Sequence, residues 1–181
     1  MNNNKLAGGL LVAALALVGA NEGIKYAAYQ DSVGKWTICN GLTAGVEKGD
    51  TATPAYCRDR LVVELLKHSE PLQRVPHHLP DHVVLAWADF CFNVGVGACS
   101  GSTGYRMLMQ GRISESCPQI LRWKFVTVGD QRFDCFLDEN RHLCGGIKNR
   151  RQLEYKLCAG EITIAETVRQ IEAVTGDSLF P

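Results

Sequence analysis

Residues 22–43 read EGIKYAAYQDSVGKWTICNGLT. Tyr26, Tyr29, Val33, Trp36, Thr37 and Ile38 favour strands, while Asp31-Ser32 and Gly34-Lys35 favour turns, so the stretch predicts short strands folded back on one another. It also carries three oxygen-bearing side chains in succession: Glu22, Asp31 after eight intervening residues, and Thr37 after five more. Glycoside hydrolysis needs two such groups flanking the bond to be cut. One must hold a proton near neutral pH, and a glutamic acid against apolar surface does so because desolvation disfavours its charge. Glu22 follows an apolar run directly and fits that part. Asp31, in a polar turn, suits the ionised partner, and Thr37 offers a hydroxyl that can hold a water. Spacing alone is a weak signal, since a helix-end glutamate and a turn aspartate occur in many chains of this size.

Upstream lies Leu6 to Ala20, LAGGLLVAALALVGA, fifteen uncharged residues preceded by Lys5. A cleaved signal peptide fits this length, with Val18-Gly19-Ala20 as the cleavage site. A spanning anchor needs about 20 apolar residues, and fifteen helical residues cover only about 22 Å. An uncleaved export segment that enters the membrane and later leaves it is a third reading, and a buried core helix a fourth. Glu22 favours retention: cleavage after Ala20 would leave it second in the mature chain, with no helix to position it.

Downstream, Pro54 and the recurrence of Leu61, Val62 and Leu65 predict a helix over 54–69. Val75 to Pro80 reads as a loop and Asp81 to Phe92 as a strongly apolar helix, broken by Asn93-Val94-Gly95-Val96-Gly97. Thr103 to Gln110 and Ser114 to Trp123 read as short helices, residues 126–146 as a loop stapled by cysteines, and Lys148 to Cys158 as a charged helix. Beyond Gly160 a tail made acidic by Glu161, Glu166, Glu172 and Asp177 spaces Ile164, Val168, Ile171 and Thr175 helically. The fold class is α+β, mainly helical, with a small sheet near the front.

A length of 181 residues suits one domain with small additions, and the 46% hydrophobic and 21% charged residues are those of a globular protein. Net charge is zero, so no basic stripe calls for nucleic acid. Cys39, Cys57, Cys91, Cys99, Cys117, Cys135, Cys144 and Cys158 form an even set without C-x-x-C spacing, which favours disulfides in an oxidising compartment over zinc or free core thiols. His77, His78 and His82 invite a metal, but only Asp81 stands near them as a further ligand, and a solvated loop is the simpler reading. No metal or cofactor is expected.

Four blocks together resemble the phage-type lysozymes, glycoside hydrolase family 24. They are the stretch from Glu22 to Thr43, DFCFNVGVGACSGST from Asp89 to Thr103, LRWKF from Leu121 to Phe125, and GGIKNRRQLEYKLC from Gly145 to Cys158. The resemblance implies a two-lobed fold with a small antiparallel sheet lobe and a helical lobe, the glycan lying between them. It implies an endolysin, a muramidase cutting the β-1,4 bond between N-acetylmuramic acid and N-acetylglucosamine in peptidoglycan, with Glu22 as acid and Asp31 and Thr37 positioning water. Gly41, Thr43 and Phe92 fall at positions that face substrate in the family, although Phe92 fits a core equally well. The pairs Cys39–Cys57 and Cys117–Cys158 are implied, with Cys91–Cys99 and Cys135–Cys144 completing the set. One subgroup keeps an uncleaved signal-anchor-release segment, and the N-terminus is similar to it. The divisions expected are therefore residues 1–20 as that segment, 21–160 as the catalytic domain and 161–181 as a helical extension. A monomer is expected, tethered at the periplasmic face of the host inner membrane and then released into the periplasm. The alternatives are a carbohydrate-binding or tail-structural protein that keeps the fold without activity, an enzyme acting on chitin or a lytic transglycosylase, and a membrane-only structural protein, which leaves the downstream blocks unexplained.

Overall fold

A computed structural model of the chain describes residues 6, 8–31 and 34–175. Lys5, Ala7, Ser32, Val33 and Asp177, which entered the sequence reading, lie outside these. The described chain begins with α1 (Gly9–Glu22), apolar along nearly its whole length. A helix apolar all round must be covered all round. Three helices contact it: α2 (Pro54–His68), α4 (Asp81–Val94) and α9 (Ile164–Thr175). Leu17 and Val18 are fully buried as a result. Thr53 caps α2 by accepting from the Tyr56 N–H, and Pro54 occupies its first turn, as the sequence predicts.

α4 is the central element. Val83 to Cys91 is buried without interruption, and Trp87 meets Phe90 edge to face at 5.1 Å. Around it stand α3 (Glu70–Gln73), α5 (Val96–Gly101), α6 (Thr103–Met109), α7 (Ile113–Ile120) and α8 (Arg141–Cys158). Gly160, at φ 72°, ends α8 in the left-handed region that glycine adopts without strain. The chain then returns, and α9 packs on both α1 and α8.

The small sheet pairs β1 (Lys25–Gln30) with β2 (Trp36–Cys39), antiparallel, in the register Lys25↔Cys39, Tyr29↔Thr37 and Gln30↔Trp36. Residues 50–52 extend its edge, with the Ala28 N–H donating to Asp50 O and the Ala52 N–H to Tyr26 O, both at 2.8 Å. The four expected disulfides are formed: Cys39–Cys57, Cys91–Cys99, Cys117–Cys158 and Cys135–Cys144. The fold is mainly helical α+β.

Residues 126–146 depart from the loop expected of them. β3 (Phe125–Val128) and β4 (Gln131–Asp134) form a hairpin in full register. A 3-10 turn follows, and α8 starts at Arg141 rather than Lys148. The missed signal was Gly129-Asp130, a two-residue turn between alternating runs, with Gly129 at φ 58°. The break at 93–97 is also shorter than expected, because α5 resumes at Val96.

Since α1 gives Ala13, Ala14, Leu17 and Val18 to the main core, a chain begun at residue 21 behind a conventional cleavable signal should not fold. Circular dichroism and urea unfolding of the exported protein check this. A cooperative transition with full muralytic activity would show that α1 is dispensable.

Candidate active site

Glu22 is the last residue of α1, and its side chain is 28% exposed. The sequence reading expected an apolar surround for this carboxyl. Its neighbour is instead a guanidinium: Arg150 Nη1 donates to Glu22 Oε1 at 2.6 Å. Arg150 Nε and Nη2 clamp both oxygens of Asp89 at 3.0 and 2.8 Å. Asn21 Nδ2 reaches the same carboxylate at 3.2 and 3.3 Å. The next residue, Arg151, pairs with Glu154 one turn on and donates to Asn93. Three carboxylates thus face two guanidinia, all almost wholly out of water except Glu22 at the exposed end. The carboxylates around it drive the Arg150 pKa up despite its burial. Burial drives the Glu154 carboxyl well above the usual glutamate range.

None of these partners was assigned a role from sequence, yet the signals were legible. Asp89 stands alone among VVLAWADFCF, and a buried acid demands a partner. Arg150 and Glu154 are four apart, and Arg151 and Glu154 three apart, so they share one helix face.

Asp31 and Thr37 are brought together on the β1–β2 hairpin. The Lys35 N–H donates to Asp31 Oδ1 at 2.8 Å. The Lys35 carbonyl accepts from both the Asp31 N–H and the Thr37 hydroxyl, each at 3.0 Å. Thr37 is 2% exposed. At the other end of the hairpin, Asn40 Nδ2 donates to Gly23 O at 2.6 Å, tying the base of the sheet to the residue after Glu22.

Two cavities flank this junction. The smaller, about 350 Å³, is lined by Gly41, Thr43 and Phe92, with Asn40, Arg60 and His68 also in its wall. Phe92 is therefore not plain core: it is half-buried and packs on His68 with ring centroids 5.0 Å apart. The larger, about 790 Å³, holds Glu22, Asn93 and Arg150 against Val126, Val128 and Leu143. Consecutive residues of α4 line the two, Phe92 the smaller and Asn93 the larger. Asp31 and Thr37 line neither of these two cavities. His77 Nε2 lies 3.2 Å from the Met109 carbonyl oxygen, to which it donates when that nitrogen carries the proton.

The sequence profile of the family described as Phage lysozyme matches residues 19–154. The chain belongs to the phage lysozyme family. It is 35% identical over 159 residues to the SAR-endolysin of Pseudomonas phage phiKMV, covering 86% of this chain and 92% of that one. The endolysin from Escherichia coli O157:H7 phage FAHEc1 superposes with a TM-score of 0.71 at 21% identity, covering 83% of this chain and 92% of the other. The muramidase domain of SpmX from Asticaccaulis excentricus does so with 0.68 at 26% identity, covering 81% and 94%. As a phage lysozyme the chain is a glycoside hydrolase of peptidoglycan.

Two measurements probe the ion cluster. Arg150→Leu leaves Asp89 buried without its cation, and should cost about 3–5 kcal/mol of stability in urea unfolding. A loss below about 1 kcal/mol would mean that the cluster is not holding the helices together. Glu154 sets a pH dependence. A carboxyl raised in the fold stabilises fully below the ordinary glutamate pKa, and that contribution is lost as pH rises through the folded value. Between about pH 5 and pH 8 the wild-type urea midpoint should therefore fall more than that of Glu154→Gln. Parallel slopes would show Glu154 ionised throughout.

Proposed function

We propose that this phage lysozyme is an endolysin that hydrolyses the β-1,4 bond between N-acetylmuramic acid and N-acetylglucosamine, acting as a monomer on peptidoglycan strands. Glu22 protonates the leaving glycosidic oxygen. Asp31 and Thr37 orient the attacking water from the hairpin. Gly41, Thr43 and Phe92 contact the sugars on one side of the bond. The observation that carries this reading is the position of Glu22: a carboxyl fixed by Arg150 in the wall of the larger cavity, one residue before Gly23, whose carbonyl holds Asn40 of the smaller. A glycan running through both crosses it. Fixing a reacting group in one geometry lowers a barrier because the entropy of orientation is lost before the reaction begins.

The N-terminal segment, residues 1–20, is proposed as a signal-anchor-release element, in keeping with the SAR-endolysin relatives. No helix among the described residues is long and apolar enough to cross a membrane. At 1.5 Å per residue the fourteen residues of α1 span about 21 Å, short of a hydrocarbon core of about 30 Å. Such a segment holds weakly at the periplasmic face of the inner membrane, then leaves with the enzyme and packs as α1. Residues 21–160 then form the catalytic domain and 161–181 a helical extension.

Glu22→Gln should lower the rate of turbidity loss on outer-membrane-permeabilised Gram-negative cells by about 10²–10⁴-fold, with unfolding by urea little changed. Wild-type products should carry a reducing end. Clearing by the folded variant would remove Glu22 from its role, and anhydro sugars would replace hydrolysis by transglycosylation.

A further inference from the structure

The larger cavity has a wall that the residues 22–43 and 145–158 do not supply. Gln170 of α9 lines it together with Glu22, Asn149 and Arg150. α9 is a well-made element rather than a loose end. The Glu166 N–H donates to Thr163 Oγ1 at 3.1 Å, and the Thr163 N–H donates to Glu166 Oε2 at 2.8 Å, a reciprocal cap of the helix start. Thr167 and Val168 are buried and set the helix on α1, the helix that ends in Glu22. Gln170 comes three positions after Thr167 and so stands on the neighbouring strip of the same side. It is exposed in the cavity, and burying it is no part of how α9 packs.

The lining is divided in a way that fits a sugar. Val126, Val128, Leu143, Ile147 and Leu153 make an apolar face. Asn21, Asn93, Asn149 and Gln170 present amides. Asn21 and Asn93 are turned to Asp89 and Arg151, whereas Asn149 and Gln170 are exposed. A carboxamide offers two donors and an acceptor, which suits hydroxyl and acetamido groups, and a pyranose sets its C–H face on apolar surface. A volume of about 790 Å³ lies within the range of small-ligand sites.

We propose that α9 forms part of the glycan-binding groove and that Gln170 is a substrate-binding residue, hydrogen-bonding a sugar hydroxyl or acetamido group beside Glu22. This rests on the reading of Glu22 as the proton donor. The bond is made alike to the resting and reacting sugar, so it acts on KM.

The test uses the full chain on peptide-free glycan strands prepared from sacculi by amidase. Gln170→Ala should raise KM about five-fold, in line with the loss of one neutral hydrogen bond, while kcat and the urea midpoint stay near wild type. A chain stopped after Gly160 should show at least that rise in KM. If the shortened chain fails to fold, Gln170→Ala decides by itself. Unchanged KM in folded Gln170→Ala overturns the proposal, as does a fall in kcat that tracks lost stability. Glu22→Gln on the same strands separates the two readings. An inactive Glu22→Gln beside an unaffected Gln170→Ala removes only the role of Gln170, while an active Glu22→Gln removes the reading beneath it.

Discussion

Arg150, only 6% exposed, grips Asp89 with two nitrogens and Glu22 with a third. That one side chain joins α8 to α4 and α1, segments separated by 61 and 128 positions in the chain. An isolated buried guanidinium is costly, so Arg150 stays buried only while acceptors meet it, chiefly the buried carboxylate of Asp89. Placement of Glu22 is therefore not a local property of the loop that follows it. It depends on three helices having packed. Electrostatic preorganisation of this kind is set up by folding, before any substrate arrives.

α1 is drawn toward two surroundings by the same property. Its apolar residues suit a bilayer and suit the groove made by α2, α4 and α9. Alanine and glycine make up six of its fourteen residues, which lowers the gain from lipid and allows close approach of neighbouring helices. In the core it gains what lipid cannot offer, the pairing of Asn21 with Asp89 and of Glu22 with Arg150. Under the proposed tethering those bonds form only after release, so leaving the membrane and completing the site become one event. α9 enters on the side of release, since it covers α1 only in the packed form.

Periodicity and caps made the helical frame readable: Pro54, the apolar run 81–92 and the Gly160 stop all stand where their chemistry puts them. The β1–β2 hairpin was readable for the same reason, because its strand and turn residues alternate. What was hidden is long-range. No local pattern says that Asp89 meets Arg150, or that Gln170 reaches the cavity of Glu22, because those contacts are set by how helices cross. The environment of Glu22 was misjudged for that reason. The residues before it are apolar, and sequence gives no sign that a cation from the far end of the chain stands beside it. The β3–β4 hairpin was a different failure, a turn signal present but outweighed by the polarity around it.

Net charge is zero, while peptidoglycan is anionic, so long-range attraction contributes little to binding. Affinity then has to come from short-range contacts, and these need walls held to fractions of an ångström. The walls are built from weak elements. Two-stranded hairpins are marginal by themselves, and both cavities use residues on or beside one. The disulfides answer this. Cys39–Cys57 ties the end of β2 to α2, and both cysteines line the smaller cavity. Cys135–Cys144 ties the end of β4 to the kink in α8, and Cys144 lines the larger. The other two pairs brace α4 to α5 and α7 to α8 within the helical lobe. Cross-links at the thin parts of the groove keep its shape where buried apolar area is too small to do so, and they persist only where thiols are oxidised, outside the cytoplasm.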